Sequence, residues 1–316
     1  MTGFNWSKLL KWSSNYIDGS DLSEKVERID PEKLEFLQGA IREAMKGVVD
    51  PNKLLFEAKV KLEGDEDEES MISALAVIDR CVELPDCSLN LEKLGLIKPL
   101  LNCLSKSEEI RSLTYQILSK SMQNNLSVQK SFANIGALSI ITNATHFESS
   151  EIMKSRGISA ISSLIRHNTE MEKAFIVENG LFQIKTWLNS EFMKVREKSM
   201  SLLRHFIRQG TISYKDILEI NKGRIIDTII NLQKENSKNP NELQNIQYGE
   251  ILSETLFEVI NMCKDHMDNE YKEKILLYVV GRADFLSKYV KFCPDDDVSP
   301  EINMLVKCEE LLRANR

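Results

Sequence analysis

The feature of this 316-residue chain that most restricts its fold is a stretch of sequence that occurs twice. Residues 109–142 and 155–188 are versions of one another, with Phe132 and Phe175 in the same place. Each phenylalanine is followed within five residues by a glycine and a new apolar run. This glycine marker recurs along the chain with spacings of 41, 44 and 43 residues (136 − 95, 180 − 136 and 223 − 180), at Gly95, Gly136, Gly180 and Gly223.

A repeat of about 40–47 residues is typical of armadillo or HEAT proteins, in which each unit contains two or three helices. One such unit cannot bury its own apolar face, so neighbouring units stack into one continuous core. We therefore predict an all-α fold, an armadillo-repeat right-handed superhelical solenoid with a short N-terminal helical extension. The glycines are expected where one helix ends and the chain turns into the next, because such turns favour a residue that tolerates a positive φ.

Prolines, glycines and charge runs divide the chain into segments. For the first of them, two interpretations stay open: its amphipathic helix either packs on the first repeat, or is flexible and docks on a partner. The predicted segments are an N-terminal amphipathic segment (1–30), capping helices with an acidic loop (31–70), core armadillo repeats (71–233), a loop insertion (234–249), and a degenerate repeat with capping helices (250–316).

Composition excludes some classes of function. The net charge of −7 argues against a nucleic-acid partner, whose phosphates call for a basic surface. None of the six cysteines forms a C-x-x-C pair, which favours reduced, structural thiols rather than a metal or disulfide framework. The first residues include no apolar stretch of signal-peptide length, and no apolar run of about 18 residues occurs. We therefore predict a cytoplasmic protein that does not span a membrane.

The chain contains no recognisable catalytic motif. It has no phosphate-binding loop of the G-x-x-x-x-G-K-[ST] type, no G-x-G-x-x-G turn, no G-x-S-x-G and no H-E-x-x-H. The four histidines are scattered along the repeats, where a single surface histidine is usually a solvated polar residue. We expect no enzyme activity, no metal, no cofactor and no small-molecule substrate. Helical solenoids typically present long concave surfaces to macromolecules instead.

In an armadillo stack the third helix of each repeat lines the concave face, and we predict these helices at 70–83, 109–123, 153–167 and 195–208. Their polar positions form rows that are uncharged or basic although the whole protein is acidic. These side chains either bind a partner through hydrogen bonds and charge, or merely solvate the groove. The candidate partner-binding residues are Gln116, Lys120, Gln123, Asn124, Ser159, Ser163, Arg166, His167, Arg204, His205 and Arg208.

Several of these segments resemble one known family. The motifs that carry the resemblance are WSKLLKWSSN (6–15), EAMKGVVDP (43–51), LEKLGLIKPLL (91–101), SMQNNLSVQKSF (121–132) and SAISSLIRHNTEMEKAFIVENGL (159–181). In this order they are similar to the armadillo-type nucleotide-exchange factors of heat-shock-70 chaperones, the Fes/HspBP family. The resemblance spans roughly residues 4–225. It is interrupted at LPDCSLN (84–90), where the family usually has an Asp-Asn-Ala-like turn.

The resemblance implies a co-chaperone rather than an enzyme. Members embrace the nucleotide-binding domain of the chaperone with their concave face, displace one lobe and weaken its grip on ADP, so that ATP enters and client polypeptide is released. The family's N-terminal segment is implicated in freeing the client, and here it would act as a client mimic through Trp6, Leu9, Leu10 and Trp12.

The alternative function is another armadillo protein-binding scaffold or adaptor. Nuclear-import adaptors of this architecture use ladders of tryptophan and asparagine, but Trp187 is the only tryptophan in the repeats.

Overall fold

The computed structural model describes residues 31–44, 50–64, 67–219, 225–237 and 245–314. All regular secondary structure in these ranges is helical, which confirms the predicted all-α class. The chain forms two compact units, Met1–Leu54 and Leu55–Arg316. No helix within the described ranges is both long and apolar enough to cross a membrane.

The first unit contains helix α1 (Pro31–Ala44) and the first residues of helix α2 (Pro51–Glu63). Proline opens both helices, where its missing N–H removes no intrahelical bond. Asp50 supports the start of α2, because its side-chain oxygen accepts a hydrogen bond of 2.9 Å from the backbone N–H of Asn52.

The second unit is a succession of helices. Helix α3 (Glu68–Cys81) begins at the end of the acidic run, where the Asp67 carboxylate accepts from the Ser70 N–H at 2.8 Å. The helices that follow are α4 (Pro85–Lys93), α5 (Ile97–Asn102), α6 (Glu108–Met122), α7 (Leu126–Ala133), α8 (Ala137–Phe147), α9 (Glu151–Ile165), α10 (Thr169–Val177), α11 (Gly180–Leu188), α12 (Met193–Gln209), α13 (Tyr214–Glu219), α14 (Ile225–Glu235), α15 (Ile246–Cys263), α16 (Asn269–Tyr289) and α17 (Ser299–Arg313).

Four successive triplets make up the repeats: α4–α6, α7–α9, α10–α12 and α13–α15. The third helix of each triplet packs against the third helix of the next, so α3, α6, α9, α12 and α15 form one continuous layer. Helices α3, α6, α9 and α12 begin and end within two residues of the predicted third helices. α16 and α17 close the C-terminal end, with α17 packed on both α15 and α16.

The turn between the first and second helix of a repeat requires a left-handed residue. Gly95 and Gly136 supply it, with φ of +69° and +74°. The prediction for Gly180 was wrong: Asn179 takes the left-handed conformation instead, with φ of +63°. Gly180 is the first residue of α11 and lies against Phe175, where an added Cβ would be only 2.3 Å from the ring. Gly223 lies outside the described residues.

Close approach of helices also explains a glycine inside α9. A Cβ added to Gly157 would lie 2.2 Å from the hydroxyl oxygen of Thr145, which is fully buried on α8. Nearby, the third repeat packs around a stack of aromatic rings. The ring centroid of Phe175 lies 6.4 Å from that of Trp187 and 5.8 Å from that of Phe206, which joins all three helices of the triplet.

The predicted loop insertion at 234–249 is shorter than expected. Helix α14 continues to Glu235 and α15 already begins at Ile246, so Gly249 is helical and buried. Some polar residues of this stretch take part in packing: Asn236 Nδ2 donates to the carbonyl oxygen of Asn245 at 2.8 Å, and Arg282 on α16 donates to the Ser237 hydroxyl. The buried Glu301 carboxylate accepts from Arg282 Nε at 3.0 Å, and Gln233 donates to Ser253 at 2.6 Å beside it.

All six cysteines lie in the described residues and none of them forms a disulfide there; all but Cys293 are buried. Burial raises the pKa of Cys103 and Cys263 to about 11, so both thiols are protonated near neutral pH. Within the part of the chain that the structure describes, no group of three or more histidine, cysteine and acidic side chains could hold a metal ion.

Candidate functional site

The candidate site is the face that α6, α9 and α12 leave outside the core, here called the third-helix face. On α9, Ile158, Ile161 and Leu164 point into the core and are fully buried. The helical period of 3.6 residues then leaves Ser159 and Ser163 on the opposite side, part-exposed. The same spacing on α6 and α12 exposes the following polar side chains: Gln116, Ser119 and Lys120 on α6, and Lys198, Ser201 and Arg204 on α12.

The C-terminal ends of the third helices carry a second set of candidates. The chain leaves α6, α9 and α12 through left-handed residues: Asn124, His167 and Gly210, with φ of +54°, +61° and +67°. Next to the first two, Asn125 and Asn168 cap the following helices, accepting from N–H groups at 3.3 Å. The exposed Asn124 and His167 are therefore held by turn geometry at the rim of the third-helix face.

A buried polar residue that was not among the predicted site residues donates hydrogen bonds to these helix ends. Gln129 on α7 donates from Nε2 to the carbonyl oxygens of Ser163 and Arg166 at 2.8 and 3.1 Å, and lies 3.3 Å from that of Met122. One repeat later, 43 residues on, Glu172 occupies the equivalent place and is also buried. The sequence contained a signal for this role: a polar residue recurs at the same position in the first helix of two successive repeats, among apolar residues.

The center of the third-helix face is a cavity of about 370 Å³ between α6, α9 and α12, here called the serine groove. Its lining includes Ser119, Ser159, Ser162, Ser163, Arg166 and Lys198. The predicted residues Gln123, Asn124 and His167 also line it. Hydroxyl groups link its walls, since the Oγ atoms of Ser119 and Ser163 lie 3.0 Å apart. The structure thus brings six of the predicted residues around one cavity.

Arg166 is the most enclosed charged residue of the serine groove. Its Nη2 donates to the carbonyl oxygen and the Oγ of Ser201 at 3.0 and 2.9 Å. Its Nε is buried and has no hydrogen-bond partner in the described part of the chain. Burial lowers the pKa of the guanidinium below its ordinary value, because low-dielectric surroundings disfavour the charge.

The other predicted basic residues are paired with acids, so this face is not simply basic. Lys120 Nζ lies 2.8 Å from Asp79 and 3.2 Å from Glu83. Arg208 Nε lies 2.6 Å from a carboxylate oxygen of Glu258.

Arg204 likewise pairs with Glu254 on α15. These acids come from the neighbouring third helix or, for Glu83, from the turn that follows it, so the residue pattern of a single helix does not reveal them.

His205 does not lie exposed on the third-helix face as predicted. His205 is buried, with Nε2 2.6 Å from Glu172 Oε1, while the Thr211 hydroxyl donates to the other carboxylate oxygen at 2.6 Å. Burial lowers the pKa of His205, against the opposing effect of the hydrogen bond to Glu172. Gln116 is half-buried on α6. The suggested client-mimic residues Trp6, Leu9, Leu10 and Trp12 lie outside the described residues.

The chain is similar to curated proteins named Hsp70 nucleotide exchange factor FES1. The one from Saccharomyces cerevisiae is 27% identical over 230 residues, covering 71% of this chain and 78% of that protein. The one from Eremothecium gossypii is 27% identical over 236 residues, covering 70% and 76%. These matches confirm the resemblance predicted from the motifs. No family model matches the chain.

Solved structures show the same fold. A designed armadillo repeat protein superposes with a TM-score of 0.59 at 15% identity, covering 82% of this chain and 99% of that one. Computationally designed armadillo repeat proteins for modular peptide recognition give a TM-score of 0.60 at 15% identity, covering 81% and 99%. The predicted armadillo architecture is therefore confirmed.

Proposed function

We propose that this chain is a nucleotide-exchange co-chaperone of a cytoplasmic heat-shock-70 chaperone, and that it catalyses no chemical reaction itself. The observation that carries the proposal is the similarity to two proteins named Hsp70 nucleotide exchange factor, each covered over more than three quarters of its length. The armadillo stack supports it, because such stacks offer one long face to a folded partner.

The third-helix face is the proposed contact surface for the nucleotide-binding domain of the chaperone. It would be the concave side of the stack. Exposed and part-exposed polar side chains are concentrated around the serine groove, at Gln123, Asn124, Ser159, Arg166 and His167. Lys120, Arg204 and Arg208 remain part of the proposed surface, but their pairing with carboxylates makes them a neutral, ordered border.

Exchange follows from differential binding. A factor that binds the open arrangement of the chaperone's lobes more tightly than the closed, ADP-bound one shifts the population towards the open state. By linkage, the factor weakens ADP binding by the same factor by which ADP weakens binding of the factor. ATP then replaces ADP and the chaperone releases its client. No chemical bond is made or broken by the co-chaperone.

The test is release of fluorescently labelled ADP from a cytoplasmic heat-shock-70 chaperone, with and without the purified chain. We expect faster release with no hydrolysis attributable to the chain. Ser163→Arg places a long charged side chain in the serine groove and should abolish the acceleration. Ser287→Arg, on the exposed surface of α16, is the matched control and should leave it unchanged. If the chain has no effect on ADP release but binds basic peptides, the adaptor alternative is correct.

The N-terminal segment is proposed to act separately, as a client mimic. Replacing Trp6 and Trp12 together by alanine should slow the release of a bound client peptide and leave ADP release unchanged. If both rates fall in proportion, the segment contributes to docking on the chaperone rather than to client displacement.

A further inference from the structure

The lining of the serine groove is unusual for this acidic protein, because none of the described residues that line it is acidic. The chain as a whole has 48 acidic and 41 basic residues. Two cations, Arg166 and Lys198, nevertheless face a cavity whose other polar groups are serine hydroxyls, amides and a histidine. The side chains around this cavity are thus mainly hydrogen-bond donors or neutral, which is the chemistry of an anion site.

The guanidinium of Arg166 has unused binding capacity. Its hydrogen bonds go to the backbone carbonyl and hydroxyl of Ser201, which are neutral and leave the positive charge uncompensated. Its buried Nε has no partner within the described residues. A buried donor without an acceptor is destabilising, more so when it is charged, and an incoming acceptor would remove that penalty.

The other cations of the third-helix face provide an internal comparison. Lys120, Arg204 and Arg208 each lie within ion-pair distance of a carboxylate from the neighbouring third helix. In the described residues Arg166 and Lys198 form no such ion pair. Lys198 is exposed, so its side chain can turn towards an anion in the groove. The stack therefore neutralises cations on either side of the serine groove and leaves these two available.

We propose that Arg166 and Lys198 form a binding site for a carboxylate of the chaperone, an aspartate or glutamate that enters the serine groove when the two proteins associate. Guanidinium groups bind carboxylates with short, directional, charge-assisted hydrogen bonds, and the serine hydroxyls provide further donors. The assignment of this carboxylate to the chaperone rests on the proposed function. The anion site itself does not, and a phosphate group shares the same chemistry.

The anion site is tested on the full chain without the chaperone. The Nε–Hε NMR signal of Arg166 is identified by its absence in Arg166→Lys, and sodium acetate is titrated against sodium chloride at equal ionic strength. We expect a saturable shift with acetate. The shift should need several-fold more acetate in Lys198→Gln and remain unchanged in Lys173→Gln, a matched lysine exposed on α10. A shift that tracks ionic strength alone would overturn the site.

Inorganic phosphate distinguishes the two sources of anion. If phosphate binds at least tenfold more tightly than acetate and displaces the chaperone, the pocket takes a phosphate group and the proposed carboxylate is wrong. If acetate and phosphate bind comparably, the carboxylate assignment stands.

The affinity of the chain for the chaperone tests whether the carboxylate belongs to the chaperone. Arg166→Gln and Lys198→Gln should each weaken binding roughly tenfold or more, with a smaller salt dependence than the wild type, since one charge contact is lost. Lys173→Gln should not change it. Wild-type affinity in both groove variants would refute the proposal. If Arg166→Gln does not fold, the exposed Lys198→Gln decides. If the wild-type chain does not bind the chaperone, the proposed function fails while the acetate titration still decides the pocket.

Discussion

Replacing Gln129 by leucine should destabilise the protein substantially, because this one amide donates hydrogen bonds to carbonyl oxygens at the ends of helices in two repeats. The last four carbonyl groups of a helix have no intrahelical donor. The Gln129 amide nitrogen supplies donors at the end of α9, to the carbonyls of Ser163 and Arg166 at 2.8 and 3.1 Å. Its two hydrogens are used there, so the carbonyl of Met122 at 3.3 Å shares one of them.

The magnitude follows from the two short bonds. Leucine has a similar volume but no donor, so two enclosed carbonyls lose their partners at about 1–3 kcal/mol each. Partial access of water reduces the sum, and we expect the free energy of unfolding to fall by about 2–4 kcal/mol. Gln129→Glu should cost more at neutral pH, since a carboxylate would place acceptors against the same carbonyl oxygens.

Urea unfolding followed by far-ultraviolet circular dichroism measures the change. The variant and the wild type are compared on the condition that their free energies of unfolding fall with urea concentration at the same slope. Gln247→Leu, on the exposed side of α15, is the matched control and should stay within about 0.5 kcal/mol of the wild type. The reasoning is refuted if Gln129→Leu is as stable as this control. It is also refuted if the glutamate variant equals the leucine variant at pH 7, because donor chemistry would then be irrelevant at this position.

Three further predictions use the same measurement. Gly157→Ala should lose about 1–3 kcal/mol because its new Cβ overlaps the facing helix, whereas Gly281→Ala has open space and should be neutral or slightly stabilising; equal effects would contradict this. Glu301→Gln should lose about 3–5 kcal/mol, since it leaves the buried Arg282 without its anion, and a loss below about 1 kcal/mol would show the pair to be dispensable. Burial lowers the pKa of His205, so the unfolded chain binds more protons and stability falls as the pH drops below about 6.5; His205→Gln should lack much of this acid-dependent loss, and an unchanged pH profile would exclude His205 as its source.

The helices of the repeats could be predicted well from the sequence, and the exact turns less well. Apolar residues that recur with the helical period indicate a helix with one side facing the core. The third helices could therefore be located within two residues. Asn179 and Gly180 could each have provided the left-handed turn, because both residue types tolerate a positive φ. The close packing of Gly180 on Phe175 decides the position, and that contact is not visible in a local pattern.

The candidate site shows the same division. The polar rows of Ser159, Ser163 and Arg166 follow from helical spacing, and the structure brings them to one groove. The partners of Arg204 and Arg208 lie 50 residues away on α15, beyond a polar stretch that interrupts the repeat. Their pairing could not be read from either helix alone, because it depends on how far one helix is displaced along the next.

By itself the sequence determined the helical class, the repeat length, the face that must be buried and the family that the motifs resemble. These properties depend on residues close to one another in the chain, whose spacing is fixed by covalent geometry. Only the tertiary structure decided which charges are neutralised, that His205 is buried, and that one donor of Arg166 has no acceptor among the described residues. Those outcomes depend on side chains from adjacent repeats, and their positions are set by the packing of the whole layer.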